Sequence, residues 1–250
     1  MTDSNLLLEE HLKMLRLPVF IESYQRTADE CSRSNHSYPQ YLAQLAEDEV
    51  NQRTQRAIER RIRIAKFPLT KTLDEFDFAS QPTLNKQQIL QLAQCHFIAD
   101  KSNLVFVGSP GTGKTHLSIA IAHKACSLGY KVYFTTAAGL INQLIEAKND
   151  YRLSKRMNQL AKFDLLICDE LGYIPFDRHG TDLLFQLVTT RYEQGSMIIT
   201  TNLPFSDWTN IFHDAATAAA VIDRLVHHST IIQISGDSYR LAQKVAQKQR

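Results

Sequence analysis

The sequence predicts an α/β fold in which a parallel five-stranded sheet is flanked by helices and preceded by a small all-α domain. After residue 103, short apolar segments alternate with helical patterns, as in a parallel sheet that is covered on both faces. Before residue 67, apolar residues recur at helical spacing instead. Phe67-Pro68 breaks that helical pattern, so the predicted domains are residues 1–68 and 69–250.

The predicted N-terminal domain is built from helices. The leucines in Leu8–Leu15 recur at helical spacing, and Pro18 ends this first helix. A polar segment over residues 27–39 predicts a loop. A second helical pattern then covers residues 41–66.

The predicted C-terminal domain starts with a linker over residues 69–85 and continues with alternating strands and helices. The predicted strands are Leu104–Gly108, Lys131–Thr136, Leu165–Glu170, Met197–Asn202 and Thr230–Ser235. The helices between them are predicted at residues 114–128, from Ala138 onward, at 182–193 and at 215–226.

Composition indicates an ordinary soluble globular protein rather than a membrane or secreted one. Hydrophobic residues make up 44% of the 250 positions, and the mean hydropathy is −0.26. No apolar run reaches the roughly 18 residues that a membrane span needs, and the N-terminus lacks the basic region of a secretory signal. The four cysteines are widely spaced without a CxxC pair. We therefore expect a cytoplasmic protein with reduced thiols, no membrane partner, and neither a disulfide scaffold nor a zinc site.

The segment Gly108–Thr115, GSPGTGKT, matches the phosphate-binding pattern G-x-x-x-x-G-K-[ST] between a predicted strand and a predicted helix. Its glycines let the backbone curl so that N–H groups point at phosphate oxygens, and the helix start adds partial positive charge. Lys114 would contact the β- and γ-phosphates of ATP, and the Thr115 hydroxyl would ligate Mg²⁺. The predicted nucleotide-binding residues of this segment are Gly108, Ser109, Pro110, Gly111, Thr112, Gly113, Lys114, Thr115 and His116.

Two further predicted strands end in polar residues that belong to such a site. Asp169 closes an apolar strand and is predicted to hold Mg²⁺ together with Thr115. Glu170 is placed to polarise the attacking water as a general base. Asn202 ends a strand that we expect between the other two, where it either orients that water or serves as a turn residue before Leu203.

Two basic clusters are candidates for DNA contact. The predicted second helix carries one stripe of arginines, Arg53, Arg56, Arg60 and Arg63. The region between the second and third strands carries Lys148, Arg152, Lys155 and Arg156. Like charges stacked at helical spacing repel one another, so a polyanionic partner is one interpretation. The other is a solvated helix face that bridges to acidic neighbours such as Glu47, Asp48 and Glu49.

The chain resembles the IstB-type ATPases that assist insertion-sequence transposases. The segments that carry this resemblance are GSPGTGKTHL, LLICDELGYIPF, IITTNLPFSDW, and VIDRLVHHS with GDSYR. It is similar, more distantly, to the DnaC helicase loaders. The resemblance covers nearly the whole chain, including the linker AKFPLTKTLDEFDF, and GYIPF and NLPFSDW are more specific than the phosphate-binding segment.

The resemblance implies an AAA+ type of P-loop NTPase and roles for three residues. Asn202 is implied as the sensor-1 residue, and Arg224 as an arginine finger that reaches the ATP of a neighbouring subunit. Arg240 is implied as the sensor-2 arginine, although the chain ends ten residues later, so the C-terminal lid domain of most AAA+ proteins is expected to be missing. Phe76 and Phe78 of the linker either line the adenine or pack within the linker.

The function that the resemblance implies is that of an ATP- and Mg²⁺-dependent transposition helper. Such a protein assembles as an ATP-dependent ring or spiral on double-stranded DNA and recruits its cognate transposase, with hydrolysis regulating the assembly. One alternative is a helicase loader acting on single-stranded DNA. Another is a nucleotide-gated adaptor without hydrolysis, against which the intact Lys114, Asp169 and Glu170 argue.

Overall fold

The computed structural model describes residues 3–212, 214–236 and 238–239. The chain divides into two compact units, Met1–Arg60 and Arg61–Arg250. The assignment of functional domains to residues 1–68 and 69–250 stays a prediction.

The first unit is formed by three helices, α1 (Asp3–Met14), α2 (Pro18–Arg33) and the first part of α3 (Tyr38–Ala65). The chain does break before Pro18, which occupies the first turn of α2, where its missing N–H costs nothing. The predicted loop over residues 27–39 is wrong for residues 27–33, which continue α2, and for residues 38–39, which begin α3.

The buried face of α2 explains that error. It consists of Val19, Ser23, Thr27 and Cys31, spaced four residues apart, and two of them are polar. The Ser23 hydroxyl donates to the Val19 carbonyl at 2.6 Å, so it is satisfied inside its own helix. A helical period that is carried by small polar residues is invisible to a search for apolar spacing.

A buried carboxylate ties α2 to α3. Glu49 is 3% exposed, and its Oε2 accepts a hydrogen bond from the Val19 N–H at 2.9 Å, at an otherwise uncapped helix start. Its Oε1 lies 2.7 Å from Nε of Arg53, whose guanidinium also donates to the Arg16 carbonyl. Arg53 therefore has a structural role in this unit, as the bridging interpretation of the arginine stripe expects.

The second unit is the predicted α/β domain. Its strands are β1 (Asn103–Gly108), β2 (Val132–Thr136), β3 (Leu165–Leu171), β4 (Ser196–Thr201) and β5 (Ser229–Ile234). Its helices after α3 are α4 (Lys86–Leu92), α5 (His96–Ala99), α6 (Lys114–Ser127), α7 (Ala137–Asn149), α8 (Leu153–Ala161), α9 (Arg178–Arg191) and α10 (Ala215–Val226). Short 3-10 segments occur at Phe78–Ser80 and Phe205–Asn210.

The five strands are all parallel and are ordered β2-β3-β4-β1-β5. Successive residues of β1 point to opposite faces, since Leu104 and Phe106 join the core beneath α6 whereas Val105 joins the core beneath α7 and α9. This two-faced burial confirms the predicted fold class. No helical lid domain follows β5 within the described residues.

A buried arginine links α8, α9 and β4 through hydrogen bonds. Arg191 is 2% exposed, and its guanidinium donates to four backbone carbonyls at 2.8–3.4 Å, those of Leu160, Phe163, Asp164 and Ser196. Burial lowers its pKa to about 10, against the opposing effect of Asp164, so it stays charged at neutral pH. No pattern in the sequence distinguished Arg191 from a surface arginine.

The four cysteines are buried and unpaired, as expected. Burial raises the pKa of the Cys168 thiol to about 12, which keeps it protonated and unreactive inside β3. None of the described helices is long and apolar enough to cross a bilayer.

Candidate active site

The turn between β1 and α6 has the geometry of an anion cradle. Gly113, with φ of 95°, stands directly before the first residue of α6, where the first backbone N–H groups of a helix have no acceptor within the helix. A Cβ atom on Gly113 would lie 2.5 Å from the ring of Phe76, and one on Gly108 would lie 2.1 Å from the Ile234 carbonyl oxygen. A side chain at either position would clash with these neighbouring atoms, so glycine is required at both.

Lys114 lies across this turn. Its Nζ donates to the carbonyl oxygens of Gly108 at 2.7 Å and of Ser109 at 2.8 Å. The ammonium is thereby held in the arch of the turn, where it can meet an anion that the backbone N–H groups also face.

The predicted partners Thr115 and Asp169 are in direct contact. The Thr115 hydroxyl lies 2.9 Å and 3.1 Å from the two carboxylate oxygens of Asp169, which is 4% exposed. A hydroxyl beside a carboxylate offers the hard oxygen ligands that Mg²⁺ prefers. Two protein ligands suit a magnesium ion that is held mainly by water and substrate phosphates, so these residues fit that ion.

Thr200 in β4 forms hydrogen bonds with both acidic residues. The sequence pattern did not reveal these two contacts. Its hydroxyl donates to Oδ1 of Asp169 at 2.5 Å and accepts from the Glu170 N–H at 2.9 Å. Thr115, Asp169, Thr200 and Glu170 thus form one continuous chain of hydrogen bonds. Thr200 is 1% exposed, and a buried threonine within a strand is easily taken for core packing.

Glu170 departs from strand geometry. Its φ is 60°, in the left-handed region, and it lies where the register between β3 and β4 shifts between Cys168 and Leu171. An irregularity of this kind re-aims a side chain. The Glu170 side chain is exposed and borders the same cleft as Lys114.

Asn202 directly follows β4, which lies between β1 and β3 as expected. Asn202 borders the cleft together with Glu170 and Lys114. Lys114, Glu170 and Asn202 lie at or after the carboxyl ends of β1, β3 and β4. The structure therefore brings these three predicted residues to one site.

The cleft has a volume of about 760 Å³, within the range of small-molecule sites. One wall is the linker, which is fastened by a 2.7 Å contact between Nε2 of His116 and the Thr72 carbonyl oxygen. Phe76 borders the cleft and packs edge-on against His116, with ring centroids 5.2 Å apart. Phe78 packs behind Phe76 at 4.8 Å and does not border the cleft.

Arg224 lies outside the cleft of its own chain. Its Nη1 donates to the Ala220 carbonyl at 2.9 Å, and its guanidinium carbon lies 5.0 Å from the ring centroid of Phe185. Arg240 lies outside the described residues. Tyr239 borders the cleft, and its N–H donates to the Gly111 carbonyl at 3.1 Å.

The basic clusters are only partly available to a partner. Arg53 is engaged by Glu49, as described above. Arg156 donates to Tyr133 Oη at 3.0 Å and to Gln143 Oε1 at 2.5 Å, and it stacks over the Tyr133 ring. The remaining candidates are all exposed: Arg56, Arg60, Arg63, Lys148, Arg152 and Lys155.

Comparison with known proteins identifies the family of this chain. A family model described as IstB-like ATP binding protein matches residues 10–247. The chain belongs to this family.

Relatives of this IstB-like chain come from bacterial insertion sequences. A protein described as the ATP-binding protein of insertion sequence IS5376 from Geobacillus stearothermophilus is 40% identical over 243 residues, covering 97% of each chain. Another, described likewise for IS21 from Pseudomonas aeruginosa, is 40% identical and covers 93% of this chain and 87% of its own.

Solved structures share the fold of this IstB-like protein at low identity. DnaI is 20% identical with a TM-score of 0.55, covering 66% of this chain and 90% of its own. AMPPCP-bound DnaA from Aquifex aeolicus is 19% identical with a TM-score of 0.53, covering 70% of this chain and 55% of its own. These likenesses support the P-loop AAA+ fold.

Proposed function

We propose that this chain is a Mg²⁺-dependent ATPase whose nucleotide state controls its assembly on double-stranded DNA as a transposition helper. The observation that carries the proposal is the convergence of Lys114, the Thr115–Asp169 pair and Glu170 on one cleft. The names of the relatives place such proteins in insertion sequences. A cognate transposase is therefore the protein partner that we propose.

In this proposal the cradle between β1 and α6 binds the phosphates through its N–H groups. Lys114 exchanges its two loop carbonyls for β- and γ-phosphate oxygens. Thr115 and Asp169 hold Mg²⁺, which when bound neutralises charge on the phosphate oxygens. Asn202 orients the attacking water.

Glu170 acts as the general base in this proposal. Its carboxylate is exposed to the cleft, whereas that of Asp169 is buried among hydroxyl donors. The two adjacent acids are thereby suited to different tasks, one to accept a proton from water and the other to hold the ion.

The exposed basic residues supply the DNA contact. Lys148, Arg152 and Lys155 lie around the turn between α7 and α8, and Arg56 and Arg60 are exposed on α3. Neutralising phosphates releases counterions, so the affinity should fall steeply with salt. No base-reading motif is present in the sequence, and we expect binding to be largely independent of sequence.

Equilibrium binding of fluorescent duplex and single-stranded DNA, with and without ATP at one stated salt concentration, tests the function. We expect ATP to strengthen duplex binding, and Lys114→Ala to weaken it by roughly tenfold or more in ATP. Lys124→Ala is the matched control, since Lys124 is an exposed lysine of the same helix that does not border the cleft. A clear preference for single strands would favour the helicase-loader alternative.

Thr200 offers a further test, because its hydroxyl holds both acids. Thr200→Val keeps the side-chain shape but removes the bonds to Asp169 and Glu170. We expect kcat for ATP hydrolysis to fall roughly tenfold, because a small misplacement of a catalytic group is costly. The KM for ATP should change by less than about threefold, since phosphate binding is left intact.

Thr200→Ser is the control for that test. It retains the hydroxyl and should restore most of the activity, although it lacks the buried methyl group. If the valine variant folds and hydrolyses ATP as fast as the serine variant, Thr200 does not position the acids.

A further inference from the structure

The turn between α7 and α8 carries an unsupported aromatic side chain. Tyr151 is 98% exposed, more than any other large hydrophobic residue that the structure describes. Its ring therefore gains almost nothing from burial in this chain.

The backbone of this turn is firmly held. The Arg152 N–H donates to the Ala147 carbonyl at 2.7 Å, and the Tyr151 N–H donates to the Lys148 carbonyl at 3.1 Å. These two bonds form a Schellman motif, in which Tyr151 takes the left-handed position with φ of 56°. Its side chain thus projects from a fixed point.

A tyrosine is a poor local choice for that position. Glycine, and less often asparagine, occupies it because a Cβ atom is crowded in the left-handed region. Among the described residues other than glycine that have positive φ, Tyr151 is the one aromatic. A residue that gains no burial and opposes its backbone geometry is best explained by a function outside the fold.

The charge around Tyr151 indicates the kind of partner. The segment over residues 146–156 has four basic side chains against two acidic ones, and Arg152 lies 3.3 Å from Asp150. Lys148 and Lys155 are exposed on either side of the turn. A basic surface with one aromatic ring at its tip fits the phosphates and stacked bases of a nucleic acid.

The helix that follows the turn is anchored to the sheet and to α7. Arg156 fastens α8 to β2 and α7 through its bonds to Tyr133 and Gln143. Its guanidinium carbon also lies 5.3 Å from the Tyr133 ring centroid. Arg156 is thus explained as an internal support for the turn rather than as a DNA contact.

We infer that Tyr151 is a wedge that enters the base stack of duplex DNA while the neighbouring cations hold the phosphates. A single projecting ring suits insertion at one base step, which kinks the duplex. A platform for single strands needs several aromatic residues along a groove instead. The inference rests on the proposed binding of duplex DNA and adds a contact that deforms it.

Permanganate oxidation of thymines in a bound duplex tests the inference, because it detects an unstacked thymine wherever the protein binds. The full chain with ATP, at saturating protein, should increase thymine reactivity at discrete steps. Tyr151→Gly should lower that increase by roughly fivefold or more at saturation, because it removes the ring that separates the bases, and Tyr151→Phe should retain it. The thermal unfolding midpoint of Tyr151→Gly should equal or exceed that of the parent protein, since glycine suits the left-handed position.

Lys101→Gly is the matched control. Lys101 is exposed with φ of 55°, so this change relaxes the same backbone conformation and also removes a cation away from the turn. It should leave the permanganate pattern intact. An unchanged pattern in Tyr151→Gly, or none in the parent protein bound to duplex, overturns the wedge alone. Failure of the parent protein to bind duplex at all overturns the proposed function as well.

Discussion

Replacing Glu170 with glutamine is expected to lower the rate of ATP hydrolysis by roughly 10²- to 10⁴-fold, the usual contribution of a general base. The amide cannot accept the proton of water, yet it has nearly the same size. Lys114 and the Thr115–Asp169 pair are untouched, so ATP binding should stay within about threefold of the parent value. Steady-state hydrolysis and equilibrium ATP binding of the same preparation measure the two quantities.

The persistence of the DNA complex gives a second readout of this change. If hydrolysis releases the assembly, complexes of Glu170→Gln formed with ATP should outlast those of the parent protein when unlabelled duplex is added. Glu193→Gln is the control, because Glu193 is an exposed glutamate with φ of 58°, close to the 60° of Glu170, and does not border the cleft. Hydrolysis by Glu170→Gln at the control rate would exclude Glu170 as the base.

The backbone at Glu170 has an uncommon conformation for a residue other than glycine. A left-handed conformation costs a residue other than glycine roughly 1–2 kcal/mol, and here it occurs at a register shift beside the cleft. The bond from the Glu170 N–H to the Thr200 hydroxyl helps to hold that conformation. Strain of this kind is found where the direction of a side chain matters more than local stability.

The strands were predictable because β1–β4 are apolar runs that are mostly buried on both sides, and the edge strand β5 still carries three isoleucines. All five observed strands begin and end within one residue of the predicted ones. The turn between β1 and α6 was predictable for a different reason, since its glycines are required by backbone geometry and its lysine by contact with phosphate.

The contacts of Thr200, Arg191 and Arg156 were not predictable, unlike the pairing of Thr115 with Asp169. Thr200 and Arg191 act through partners that are distant in sequence, Asp169 and Leu160 among them, and neither belongs to a local motif. The sequence groups Arg156 with surface cations because it shows the charge of a residue but not a partner such as Tyr133. The second half of α2 was missed because its buried face includes small polar residues, which do not show the apolar spacing of a helix.

Replacing Arg224 with alanine is expected to lower hydrolysis by roughly 10³-fold, the effect of losing an arginine finger. In its own chain the guanidinium is held by Ala220 and Phe185, outside the cleft. It can therefore serve catalysis only at the cleft of a second copy. ATP binding by the Arg224→Ala variant should stay close to the parent value.

Mixing two inactive variants decides between this role and simple packing against Phe185. Lys114→Ala retains Arg224 but loses its own phosphate contact, whereas Arg224→Ala retains its cleft. Random co-assembly on duplex DNA places the arginine of one beside the cleft of the other in about one head-to-tail interface in four. The mixture should therefore regain hydrolysis that neither variant shows alone. If Arg224 only packs against Phe185, the mixture should show no recovery, because a neighbouring subunit does not repair a misfolded one. Recovery of hydrolysis would show that the active site is completed by two chains.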